Sequence, residues 1–70
     1  MKVEYDADAD AVYIRLKDRE IASTREIEDN IIADIDARGK LLGIELLFVS
    51  DYLSADDIRN LSVTELPASA

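Results

Sequence analysis

Ala37-Arg38-Gly39-Lys40-Leu41-Leu42-Gly43-Ile44-Glu45-Leu46-Leu47-Phe48-Val49 is the stretch on which the fold turns. Its first four residues are the clearest turn in the chain. Gly39 can take positive φ without steric cost, which suits a type I turn closed by a bulge. Leu41 to Val49 is the most hydrophobic run and reads as a strand. Alternation puts Leu42, Ile44, Leu46 and Phe48 on one face, and Leu41, Gly43, Glu45, Leu47 and Val49 on the other. A glycine inside a strand signals a bulge or a close backbone approach, so Gly43 is expected to mark one of these.

Upstream of the turn, Ile31 to Asp36 forms its partner strand, with Ile31, Ala33 and Ile35 toward the core. A weaker strand spans Ile21 to Glu28 and stops at Asp29-Asn30, a pair that tolerates turn conformations. A helical turn around Arg25 to Glu28 is the competing local reading. Lys17-Asp18-Arg19-Glu20 is a charged turn. Ala11 to Leu16 is a further strand, rich in β-branched and aromatic residues, with Val12, Ile14 and Leu16 opposite Tyr13 and Arg15. Asp6-Ala7-Asp8-Ala9-Asp10 lacks glycine and predicts a loop wider than a two-residue hairpin. Lys2 to Asp6 alternates as the first strand, with Val3 and Tyr5 on one face.

Downstream, Ser54 can cap a helix, and Asp57 three residues later completes a variant of the capping box. Asp56 and Asp57 suit the positive end of the helix dipole. Leu53, Ile58 and Leu61 give a narrow apolar stripe, and about two turns of helix cannot persist without packing on the sheet. Val63 to Leu66 extends the helix or adds a short strand, and Pro67 ends it. The sequence therefore predicts an α+β fold: an antiparallel β-sheet of four to five strands with one short C-terminal helix packed on one face. Residues 1–66 make a single small domain, and 67–70 a flexible C-terminal tail.

Composition narrows the function classes. Seventy residues leave room for one domain, which buries only about 60% of its unfolded surface. With no Cys and no His, neither a disulfide nor an ordinary zinc site can reinforce it. That leaves packing or association. Sixteen acidic residues against eight basic ones give a formal charge of -8, which argues against nucleic acid as a ligand. Solubility accounts for the acidity; a small basic protein partner is the sharper reading. The start lacks the apolar run of a signal peptide, and Leu41 to Val49 is too short to span a bilayer, so the expected location is cytoplasmic with no membrane contact.

Reactive motifs are scarce. Asp6, Asp8 and Asp10 occupy the first, third and fifth places of a calcium loop, but the sixth place is Ala11 instead of Gly and the twelfth is Lys17 instead of Glu. Asp34 with Asp36, and Glu26 with Glu28, are spaced to share strand faces, yet so small a domain offers little material for the cleft that paired-carboxylate catalysis needs. Glu45, among Leu, Gly and Ile, must face water or meet a cation, and Arg15 is the first candidate. Cysteine–histidine and serine–histidine relays are excluded by composition. Gly39 and Gly43 make no phosphate loop. Tyr5, Tyr13, Phe48 and Tyr52 lack the basic companions of a base-stacking platform. No catalytic, cofactor-binding or metal-ligating residue is nominated, and no cofactor.

With these residues laid out, the chain resembles the YuzE-like family of small prokaryotic domains of unknown function. The resemblance rests on Val3-Glu4-Tyr5-Asp6, on Asp8 to Leu16 around Tyr13, and on Asp34 to Leu47 around Gly39 and Gly43-Ile44-Glu45. It covers about residues 2–50 and departs from the family pattern at Phe48-Val49-Ser50-Asp51-Tyr52, which leaves the join to the helix open. It implies a β-rich domain with a helix and carries no activity, cofactor or catalytic residue. Some relatives are encoded beside small proteins in toxin–antitoxin-like pairs, which implies a protein partner.

The expectation is a non-catalytic protein-interaction or accessory module. A small-molecule enzyme using surface carboxylates and a purely structural homo-oligomer are the alternatives. Aliphatic residues on both faces of the Leu41 to Val49 strand predict a homodimer through the face that the helix leaves open. The alternative is that loops or the Val63 to Leu66 segment cover that face.

Overall fold

The computed structural model describes residues 1–65 and 67. Five strands form one sheet: β1 (Lys2–Asp6), β2 (Ala11–Arg15), β3 (Ser23–Glu28), β4 (Ile31–Ile35) and β5 (Leu41–Leu47). Their spatial order is β1-β2-β5-β4-β3, and every neighbouring pair is antiparallel. The most hydrophobic strand thus occupies the centre, where both of its edges are paired. The polar strands β1 and β3 lie at the rims with every residue exposed. Charged side chains on both rims, and a bulge between Glu26 and Glu28 in β3, discourage further edge pairing.

The chain then leaves the sheet through a 3-10 turn, Val49–Asp51, and ends in one short helix, α1 (Ala55–Arg59), packed against the sheet. Ser54 caps α1 in both directions: its hydroxyl accepts from Asp57 N, and the Asp57 carboxylate accepts from Ser54 N. Leu53 and Ile58 are half-buried. The segment after α1 returns over one sheet face, where Leu61, Ser62 and Val63 share a hollow with Met1, Val3 and Ile14. Expectations for Leu66 and for the tail at 68–70 lie outside the described residues.

Four strand limits differ from the sequence reading: β2 stops at Arg15 and not Leu16, β3 starts at Ser23 and not Ile21, β4 stops at Ile35 and not Asp36, and β5 ends early. β5 stops at Leu47, not Val49, because Phe48 adopts a left-handed conformation with φ 55° and turns the chain out of the sheet. Val49 N–H then donates to the Asp10 carbonyl, and Val49 is fully buried. Asp10 is the other non-glycine residue at positive φ, 54°, and its carboxylate accepts from Ser50 N at 3.0 Å and Ser50 Oγ at 2.7 Å. The acidic loop is therefore a structural staple holding the exit from β5. Arg25 to Glu28 is strand, not helix.

A further difference is the bulge in β5. It falls opposite Ile35, before Gly43, so Leu41 pairs with Ile35 while Gly43 pairs with Asp34. Such a bulge sets two residues of one strand against one of the other, here Leu41 and Leu42 against Ile35. With Val49 out of the strand as well, the second face of β5 keeps only Gly43, Glu45 and Leu47. The expectation of two aliphatic faces is overturned. One face is aliphatic, from Val12 and Ile14 through Ile44 and Leu46 to Ala33 and Ile31. The other is polar.

The buried hydrophobic side chains among the described residues are Ala11, Val12, Ala33, Leu42 and Val49, and two of these are alanines. A core that thin leaves a domain of this size marginal. The C-terminal segment borders the β1–β2 side of the aliphatic face, where Val3 and Tyr5 remain exposed. On the β4–β5 side, Ile31, Ile35, Ile44 and Leu46 stay half-buried, flanked by Leu41 at 41% and Ile27 at 55% exposure.

Candidate functional site

The polar face carries a network built across four strands. Register aligns Lys2, Arg15, Gly43, Asp34 and Thr24 in one row, and Glu4, Tyr13, Glu45, Ile32 and Glu26 in the next. Tyr13 reaches diagonally over Gly43 and donates its hydroxyl to Asp34 Oδ2 at 2.6 Å, while Thr24 Oγ1 donates to Asp34 Oδ1 at 2.8 Å. A side chain at position 43 would occupy the ring's place: an added Cβ would sit 2.2 Å from the Tyr13 hydroxyl oxygen and 2.6 Å from Cζ. Gly43 is thus the close approach that a strand glycine signals, not the bulge.

Arg15 lies over the outer side of the Tyr13 ring, 5.1 Å from its centroid, and donates to Glu4 Oε1 at 3.5 Å. The expected Arg15–Glu45 pair therefore does not form. Arg15 takes the carboxylate on β1, and Glu45 stays half-exposed beside the phenol. The phenol's pKa is pushed above its ordinary value, first by the hydrogen bond to Asp34, then by burial and by the Asp34 charge, with Arg15 opposing. A phenol held in its neutral, donating form is a poor base and a poor nucleophile at neutral pH. Both Asp34 oxygens are already engaged. The arrangement does the work of a clasp, joining β2, β4 and β3 over the central strand.

The other paired carboxylates are not pairs in space. Asp36 lies beyond the end of β4, where its Oδ1 accepts from Arg38 N at 2.8 Å and Lys40 N at 2.9 Å, closing the turn at Gly39 (φ 81°). The β3 bulge separates Glu26, which pairs with Ile32, from Glu28, which pairs with Ile31 on the opposite face. Asp6 Oδ1 accepts from Asp8 N and Ala9 N, both at 3.1 Å, and Asp10 is bound to Ser50, so the three aspartates do not converge. Among the described residues no three acidic, His or Cys side chains are grouped to hold a metal ion. No helix there is long and apolar enough to cross a membrane.

Sequence reading missed how the charges segregate. The amino terminus, the β2–β3 connection and the β4–β5 turn meet at one end of the sheet. That end gathers Lys2, Arg15, Lys17, Arg19, Arg38 and Lys40, six of the eight basic residues in the chain, against the acidic Asp18, Glu20 and Asp36, so its balance is basic. Lys17, Arg19, Arg38 and Lys40, with Asp36 among them, line a hollow that Leu41 and Leu42 share, so it opens beside the aliphatic face. The opposite end holds the β1–β2 loop, the β3–β4 turn and the exit from β5, with Asp6, Asp8, Asp10, Glu28, Asp29 and Asp51 and no Lys or Arg. The signal in the sequence was that every Lys and Arg in a strand connection falls in Lys17 to Glu20 or Ala37 to Lys40, while the charged residues of the other connections are all acidic.

No curated protein and no solved structure matches the chain. The likeness to the YuzE-like domains does not stand, because the family model that matches is another one. That match runs from β1 through β5 into the 3-10 turn and stops short of α1. The chain belongs to the family described as "Protein of unknown function (DUF2283)", whose model matches residues 2–50.

Proposed function

We propose that this chain is a non-catalytic protein-interaction module that works as a homodimer in the cytoplasm, joined through the aliphatic face of its sheet. The observation that carries the reading is the uncovered side of that face. Ile31, Ile35, Ile44 and Leu46 stay half-buried and Leu41 and Ile27 exposed, around a core of five buried hydrophobic side chains among the described residues. This is the face on which the C-terminal segment lies, not the polar one, so the sequence-based choice of face is replaced. Closing it against a second copy would remove apolar surface from water at about 25 cal/mol per Å², set against the costs of association. Two-fold pairing is the commonest way for one chain to do this.

The acidic end also offers a footing for a small basic protein. The chain carries its own complement at the basic end, which favours the second copy. The polar face supports no enzyme reading: its one perturbed group is a neutral phenol engaged with Asp34, and the hollow that Lys2 and Arg15 line at its edge includes neither Tyr13 nor Asp34.

Light scattering at tens of micromolar tests the proposal. The expected mass is twice 7.8 kDa, and Ile44→Glu should yield a folded monomer or a much weaker dimer. A parent protein that stays at the monomer mass would refute it.

A further inference from the structure

Resting on the dimer reading, we infer that the two copies pack with their strands antiparallel, so that each basic end lies over its partner's acidic end. The aliphatic patch and the basic hollow are one continuous surface, since Leu41 and Leu42 belong to both. Two sheets facing each other about a two-fold axis have two simple arrangements. With the axis along the strands, the basic hollow meets its own copy, and Arg38 and Lys40 oppose like charges. With the axis across the strands, each strand lies over its symmetry mate in the reverse direction.

In the second arrangement the Gly39 turn, at one end of β4, faces the Asp29-Asn30 turn at the other end of the partner's β4. Arg38 and Lys40 then approach Glu28 of the partner subunit and Asp29 of the partner subunit. None of these four side chains makes an ion pair within its own chain among the described residues, so no existing contact is given up. Like charges brought together disfavour the first arrangement, and complementary charges steer association toward the second.

The test is a charge swap read by sedimentation equilibrium. Variant one combines Arg38→Glu with Lys40→Glu; variant two combines Glu28→Lys with Asp29→Lys. Each alone should dimerise at least tenfold more weakly than the parent, because both symmetry-related contacts become repulsive. An equimolar mixture should recover a heterodimer of parental affinity, because both contacts become attractive again. A mixture that recovers nothing, while the parent dimerises, overturns the orientation and leaves the dimer reading standing; a monomeric parent overturns both.

Carbodiimide cross-linking of the unmodified parent gives a readout that does not depend on the variants folding. Lys40 should link to Glu28 or Asp29 between subunits. Lys40–Lys40 links with an amine-specific reagent would overturn the proposal. Stoichiometric micromolar uptake of pyrophosphate by the monomeric Ile44→Glu variant would assign the hollow to a free anion and overturn it too.

Discussion

Gly43→Ala tests the clasp on the polar face. The added Cβ would fall 2.2 Å from the Tyr13 hydroxyl oxygen, 2.6 Å from Cζ and 3.0 Å from Cε1, so the ring must swing away. Swinging breaks the 2.6 Å bond to Asp34, and a half-buried hydrogen bond to a charged acceptor is worth about 1.5 kcal/mol. An off-rotamer ring adds about 0.5–1.5 kcal/mol if it moves only partway. Against this, alanine is favoured over glycine within a strand by roughly 0.5–1 kcal/mol. The expected net destabilisation is about 1 kcal/mol, which lowers Tm by roughly 4–8 °C in a domain of this size. The decisive quantity is the coupling. In a Tyr13→Ala background the same Gly43→Ala change should stabilise by about 0.5–1 kcal/mol, because nothing remains for the Cβ to meet. Urea unfolding of all four proteins, followed by circular dichroism at one fixed protomer concentration, closes the cycle. A coupling of about 2 kcal/mol is expected; one within the roughly 0.5 kcal/mol scatter of independent sites would refute the account of why position 43 is glycine.

Two further perturbations follow from the titrating groups. The Tyr13 pKa is raised in the folded protein, so its contribution to stability is complete below the ordinary phenol value of about 10 and is lost as pH rises through the folded value. Tyr13→Phe should lower stability at neutral pH by about 1 kcal/mol and flatten the alkaline fall; equal slopes for parent and variant above pH 10 would contradict the clasp. The Asp57 pKa is lowered by the bonds it makes with Ser54, so its contribution is present above the ordinary carboxylate range and is lost as pH falls through the folded value. Helical circular dichroism should decline with acid in the parent and be already reduced, with a weaker pH dependence, in Ser54→Ala; an unchanged acid profile in that variant would remove the capping box from the account.

Much of the fold was legible because its signals are local. The limits of β1, the turn at Gly39, the alternation of Val12 with Tyr13 and of Ile44 with Glu45, and the Ser54–Asp57 cap each depend on a few neighbouring residues. Two of the errors share one cause. Phe48 and Leu41 were assigned faces by extending a period of two, and each lies where the backbone breaks that period, one in a left-handed turn and one in a bulge. Neither residue type announces such a conformation, because glycine is the usual occupant of positive φ and leucine carries no bulge signal. The Arg15–Glu45 pairing failed differently: Glu4 on the other flanking strand competes for the same guanidinium, and only the register of β1 reveals it.

What the sequence determined alone is the set of strands and the helix, the short turns that join β1 to β2, β3 to β4 and β4 to β5, and the lack of Cys and His for thiol or histidine-relay chemistry. These follow from residue type and spacing over a handful of positions. Tertiary structure decided everything that requires strands distant in sequence to become neighbours. Placing β5 between β2 and β4 carries Tyr13 over Gly43 to Asp34, joining residues about twenty to thirty positions apart. The same placement brings Lys17 and Arg19 against Arg38 and Lys40, turning separate charged turns into a molecule with one basic and one acidic end. Side-chain chemistry is written in the chain, but the direction in which each side chain meets another is fixed by register, and register is set by the burial of one whole face at once.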